Sequence, residues 1–157
     1  MSNSRHPTVF FYVQHLLGIG HLRRAELLCR SFSNAGWRVT LAMGGQFSGP
    51  LDVGGAKIVN LPALKIGDAD FHRLVDENGL AVDDAWKAAR KDELCAAYAQ
   101  AAPDILITEA FPFGRRQMRF ELDPLLSLAH SAKHRPLIVC SVRDILKSER
   151  KPGRAEE

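Results

Sequence analysis

Short apolar runs alternate along the chain with longer segments whose apolar positions recur every three or four residues. Residues 8–14 (TVFFYVQ) are β-branched and aromatic and read as a strand. Over 21–35, Leu22, Ala25, Leu28, Cys29 and Phe32 carry the spacing of an amphipathic helix, which Gly36 ends. WRVTLAM (37–43) predicts a second strand, closed by Gly44-Gly45, and AKIVNL (56–61) a third, before Pro62. Residues 62–80 are rich in Asp, Gly and polar residues with weak periodicity, and read as a long loop. Helical spacing returns over 81–101, with Val82, Ala85, Trp86, Ala89, Ala97 and Ala101 on one side. Pro103 leads into a fourth strand, DILIT (104–108). Residues 114–132 are again helical in period (Met118, Leu122, Leu125, Leu126, Ala129), with Pro124 expected to kink that helix or restart it. PLIVCSV (136–142) is a fifth strand.

Strands with little polar alternation, separated by helices, imply a parallel sheet covered on both faces. The expected fold is α/β: a Rossmann-like, doubly wound parallel sheet. Residues 1–146 form that domain, and 147–157 read as a charged tail or truncated linker without a core. A chain of 157 residues with 46% hydrophobic and 25% charged positions has enough apolar material for one core without disulfides. No apolar run reaches the length of a transmembrane segment, and the N-terminus reads as a first strand instead of a signal peptide. Cys29, Cys95 and Cys140 lie in apolar contexts without a CxxC pair. They read as reduced, buried thiols of a cytoplasmic protein, either free of the membrane or peripheral to it. Net charge is +3, too weak to imply nucleic acid. The excess is local: residues 1–111 hold 11 Lys+Arg against 12 Asp+Glu, and 112–157 hold 10 against 6.

The chemistry concentrates in residues 14–32, QHLLGIGHLRRAELLCRSF, between the first strand and the first helix. Ligands of open parallel sheets bind outside the carboxyl ends of strands. Gly18 and Gly20 allow a tight turn and a close backbone approach to a ligand. His21 falls near the first helical position, where partial positive charge disfavours protonated imidazole and suits a general base. The dinucleotide fingerprint G-x-G-x-x-G is broken by Arg23 at its third glycine, and the second strand ends without an acid for a ribose hydroxyl. Both departures count against NAD, and no cofactor is expected. Asp83-Asp84 and Asp68-x-Asp70 read as solvated charges at a helix start and in a turn, so no metal is expected either.

The pattern G-x-G-H-x-x-R-A-x-x-L, with a strand and Gly-Gly after it, resembles the start of GT-B glycosyltransferases related to the MurG group. The likeness is greatest to a bacterial branch of predicted glycosyltransferases. The matching residues are Tyr12, Val13, Gln14, His15, Gly18, Gly20, His21 and Arg24. Two further blocks match, PDILITEAFPFGRRQMRFELDPLL (103–126) and the strand ending Ser141-Val142-Arg143-Asp144. The resemblance implies the N-terminal, acceptor-side half of a GT-B enzyme, with an inverting, metal-independent mechanism. A nucleotide-sugar donor would be held by a second domain, in continuation or on a partner chain. The chain alone is then expected to be inactive. It further implies His21 as the base that takes a proton from the acceptor hydroxyl.

Glu109 ends the fourth strand at the same sheet edge and is a second catalytic candidate, orienting His21 or binding an acceptor hydroxyl. An ion pair with Arg115 or Arg116 is the competing reading. His15, Arg24 and Arg115 complete the substrate-binding candidates. Arg115, Arg116 and Arg119 either hold an anionic acceptor or form a solvated helix face. A non-catalytic module binding a nucleotide or carbohydrate phosphate is the alternative function. No aromatic platform supports nucleic-acid binding.

Overall fold

A computed structural model of the chain describes residues 5–16, 18–67 and 70–142, with backbone alone at 70–72. The elements are β1 (Thr8–Val13), α1 (Gly20–Asn34), β2 (Arg38–Met43), β3 (Lys57–Asn60), β4 (Lys65–Gly67), β5 (Asp70–Val75), α2 (Asp84–Ala101), β6 (Ile105–Glu109), a 3-10 turn (Arg116–Met118), α3 (Arg119–Ser131) and β7 (Leu137–Ser141).

Five strands form one parallel sheet in the order β3-β2-β1-β6-β7. The central strand β1 is buried along its whole length, so both of its faces must be apolar. Phe10 and Tyr12 join one core cluster with Leu94 and Tyr98 of α2 and Leu122 and Leu125 of α3. Val9, Phe11 and Val13 join the other, with Leu22, Ala25 and Cys29 of α1. Each large apolar side chain buried this way stabilises the fold by about 1.5–3 kcal/mol. The helices divide between the faces because crossovers are right-handed. The path from β1 to β2 steps one way along the sheet, while those from β3 to β6 and from β6 to β7 step the other way. The fold is therefore Rossmann-like and doubly wound, with its switch point between β1 and β6.

Four details correct the sequence reading. The expected loop over 62–80 contains an antiparallel pair, β4 and β5, with an irregular register between Ile66 and Gly67. β4 has only three residues, so two-residue alternation has little room to show in it. Of the face expected over 81–101, Val82, Trp86, Ala97 and Ala101 pack against the core, but Ala85 and Ala89 are exposed and the buried positions of α2 are Arg90, Leu94 and Tyr98. Alanines say little about which face is inward, and an arginine in the buried stripe hides it. Pro124 lies inside α3, which runs unbroken from Arg119 to Ser131 and starts before the proline. Among the cysteines only Cys29 is buried, its thiol pushed up to about 12 by burial, and Cys95 and Cys140 are partly exposed.

Asp83 caps α2, its carboxylate accepting from Trp86 N–H at 2.7 Å, as expected of Asp at a helix start. None of the described helices is long and apolar enough to cross a membrane. Asp68, Arg143, Asp144 and the tail 147–157 lie outside the described residues.

Candidate functional site

At the switch point the chain leaves β1 and β6 toward opposite faces, the place where open α/β sheets bind their ligands. After β1, Gln14, His15 and Leu16 are buried, and the loop then surfaces at Gly18. A Cβ at Gly18 would meet nothing within 4 Å, so this glycine leaves the loop bare without relieving a clash. Gly20 is the first residue of α1. Ile19 at the N-cap provides no side-chain bond, and no acid sits in the first turn. The leading N–H groups of α1 therefore keep their partial positive charge uncompensated by a cap.

His21 projects from this turn with its side chain a quarter exposed. Its Nδ1 lies 2.9 Å from Oε1 of Glu109, whose side chain is fully buried. Glu109 is the last residue of β6, and Ser141, its partner in the sheet register, is the last of β7. One turn along α1, Arg24 Nε donates to Ser141 Oγ at 3.1 Å. Ala110 N–H donates to the Ser141 carbonyl at 2.8 Å. His21 and Arg24 thus tie one face of α1 to the carboxyl ends of β6 and β7. With Nδ1–H donating to the carboxylate, Nε2 of His21 carries the free lone pair. The arrangement can take a proton from a bound hydroxyl and stabilise the resulting imidazolium.

The other candidates fall in separate places. Neither Arg115 nor Arg116 forms an ion pair with Glu109. Arg116 and Arg119 are exposed, and Arg119 pairs with Asp123 at 3.4 Å. Arg115 turns inward with a left-handed φ of 59°, and burial pulls its guanidinium below the ordinary value against the opposing influence of Tyr12 and Glu109. The arginine cluster therefore does not converge. His15 is buried beneath the exit of β2, away from the pairing of His21 with Glu109. Its Nε2 lies 3.1 Å from the Gln46 carbonyl, and its ring meets Phe47 edge-on. A Cβ at Gly45 would stand 2.3 Å from that ring, which explains the second glycine of the pair.

Sequence reasoning missed a buried polar cluster at the carboxyl ends of β1 and β2. Arg90, with no solvent exposure, donates from Nε and Nη2 to Glu121 at 2.7 and 3.0 Å. It also donates to Gln14 Oε1 at 2.6 Å, to the Gly44 carbonyl at 3.1 Å and to the Pro62 carbonyl. Tyr12 O–H donates to Glu121 Oε1 at 2.5 Å, and Gln14 Nε2 to the carbonyls of His15 and Leu64 at 3.0 Å each. Burial holds the Tyr12 hydroxyl well above its ordinary value, with Glu121 acting in the same direction. Burial lowers the Arg90 guanidinium, but Glu121 and Tyr12 outweigh it and the group stands above its ordinary value. Gly44 is required here, because a Cβ would lie 2.1 Å from Arg90 Nη2. The available signal was the spacing of Arg90, Leu94 and Tyr98, four residues apart on one helix face.

Two grooves lie elsewhere. One of about 910 Å³ runs along the amino ends of the strands, beside Arg5, Tyr98, Asp104 and Arg135. One of about 420 Å³ lies beyond β2 and β3, beside Gln46, Phe47, Asn60 and Glu93. Among the described residues no group of three or more His, Cys, Asp or Glu side chains gathers as a metal site.

No family model matches the sequence, and no curated protein does. Among solved structures the chain is similar to CalG4, the calicheamicin glycosyltransferase, at 15% identity with a TM-score of 0.49. The match covers 88% of this chain and 33% of that one, so this chain spans about a third of its length.

Proposed function

We propose that this chain is the acceptor-binding half of an inverting, metal-independent glycosyltransferase of GT-B type, with His21 as general base and Glu109 holding it in place. The observation that carries the reading is the 2.9 Å contact between His21 Nδ1 and Glu109 Oε1 at the switch point of the sheet. The three sequence blocks that resemble MurG-related enzymes support it, because their conspicuous histidine is the one that meets the buried carboxylate.

In this reading an acceptor hydroxyl rests against His21 Nε2. Its oxygen forms a bond to the anomeric carbon of a nucleotide-sugar as the bond to the diphosphate breaks on the opposite face. The hydroxyl proton passes to Nε2 and then to solvent. The Glu109 carboxylate stabilises the transient imidazolium and keeps the ring from rotating. Donor binding belongs to a second domain, contiguous or on a partner chain, and the reaction takes place in the cytoplasm or at its membrane surface.

The test supplies a donor domain by fusion or in trans and measures transfer. His21→Ala is expected to lower kcat by about 10²- to 10⁴-fold. An unchanged rate would remove the base assignment and favour a non-catalytic site for a nucleotide or carbohydrate phosphate. The chain alone is expected to give no transfer.

A further inference from the structure

The groove of about 910 Å³ at the amino ends of the strands lies at the opposite edge of the sheet from His21 and Glu109, and the function proposed above makes no use of it. It is cut between the last turns of α2 and α3, the entry of β6 at Pro103 and Asp104, and the loop 133–135 that leads into β7. Its volume is that of a small-molecule site. Ala102, Pro103, Leu128 and Ala132 give it apolar lining, and Arg5, Lys133, His134 and Arg135 give it basic lining.

Tyr98 supplies a fixed polar group within that lining. The residue is only 4% exposed, and its ring packs edge-on against Phe10 of the central strand with centroids 5.6 Å apart. Its hydroxyl forms no hydrogen bond among the described residues, and the little surface the side chain keeps lines the groove. Burial raises this hydroxyl above its ordinary value, so it stays a proton donor at neutral pH. A buried, immobilised donor that opens only onto a groove is satisfied by what enters the groove.

Charge selects the ligand. Among the described residues Asp104 is the only carboxylate in the lining. Both of its oxygens are engaged, one by Arg5 and the other by Thr8 N–H at 2.8 Å. Lys133 and Arg135 form no ion pair among the described residues, and both are exposed on long stems that can swing over the groove. The C-termini of α2 and α3 also end here, each equivalent to about half a negative charge. They offset about one of these two cations, so the balance stays positive, and His134 adds to it when protonated. A cationic ligand is repelled, and a neutral apolar one leaves the cations unanswered. A phosphate accepts from the Tyr98 hydroxyl and from both cations, and an attached carbon skeleton covers Leu128 and Ala132.

We propose that this groove is a second binding site, for an organic phosphate with an apolar body. Tyr98, Lys133 and Arg135 hold the phosphate, and Leu128 and Ala132 pack against the carbon skeleton.

The test titrates the isotope-labelled chain with phenyl phosphate, inorganic phosphate and benzyl alcohol, following backbone amide resonances by NMR. Shifts are expected at Ala99, Ala102 and residues 133–135, with those of His21 unmoved. Phenyl phosphate is expected to bind about ten-fold or more tighter than either of the other two. Tyr98→Phe keeps the ring against Phe10 and should weaken phenyl phosphate about ten-fold, the worth of one hydrogen bond to a charged group. Lys133→Gln combined with Arg135→Gln, both at exposed positions, should weaken it at least as much. Unchanged amide spectra away from the groove confirm that the variants are folded. Absence of shifts at the groove overturns the site. So does inorganic phosphate binding as tightly as phenyl phosphate, or full phenyl phosphate affinity in either variant. Shifts centred on His21 instead place the anion at the switch point and overturn the groove. Phosphatidic acid vesicles that sediment the chain through Lys133 and Arg135, with phenyl phosphate unbound, assign the phosphate to a lipid surface and overturn the free ligand.

Discussion

Glu109 shows how a strand-end side chain is placed by its neighbours. Its backbone closes β6, its Oε1 faces His21, and the side chain has no solvent to share its charge with. Glu109→Gln preserves shape but replaces the carboxylate that accepts from Nδ1–H. In a transferase complete with its donor half, this change is expected to lower kcat by about 10²- to 10⁴-fold with little effect on acceptor KM, as steady-state kinetics will show. Strand-end position alone singled out Glu109, whereas His21 needed the resemblance as well as its place in a Gly-x-Gly-His turn. Their contact was legible only as one alternative beside an ion pair of Glu109 with Arg115 or Arg116, because a shared sheet edge does not decide between partners 88 residues apart. Arg90 was illegible for a different reason. A helical arginine ordinarily lies in solvent, and only the assembled loops around Gly44 and Pro62 give it enough acceptors to be buried.

At the level of elements, Arg90 makes α2 a clamp on the ligand side of the sheet. It fixes the exits of β1, β2 and β3 through Gln14, Gly44 and Pro62, and joins α2 to α3 through Glu121. Arg90→Met would strand a buried carboxylate and several oxygen acceptors at once. The expected loss is about 3–5 kcal/mol, read as a lower midpoint in urea denaturation. Gly44→Ala should also destabilise, since the added methyl overlaps the guanidinium. The helices were readable because their apolar periods repeat, and the parallel strands because they are near-continuous apolar runs. The β4–β5 pair was not, since three residues of β4 carry hardly one alternation.

For the molecule as a whole, acid sensitivity follows from two carboxylates. The hydrogen bond from Arg23 holds Glu26 below its ordinary value, with Asp52 N–H adding to the effect and burial opposing it. Thr8 N–H does the same for Asp104, again against burial, and Arg5 adds to it. Both groups bind protons more weakly in the folded chain. Their contribution is complete above the ordinary carboxylate range of about 4 and is lost as pH falls through the lowered folded values. Melting temperature should therefore drop between pH 6 and pH 3. Glu26→Gln should melt lower than the parent at pH 7 and converge with it in acid.

The central place of β1 has a consequence for how the chain reaches its fold. One side of that strand pairs with β2 about 30 residues away, at Val9 with Val39, but the other waits for β6, at Val9 with Ile105. During synthesis the VFFYV run therefore stands with an open hydrogen-bonding edge until more than a hundred residues have been made. Such long-range parallel pairing is slow, and an open apolar edge invites pairing between chains. A fragment ending at Pro103 should scatter light at concentrations where the full chain stays clear, and a ribosome pausing before β6 would expose the same hazard in the cell.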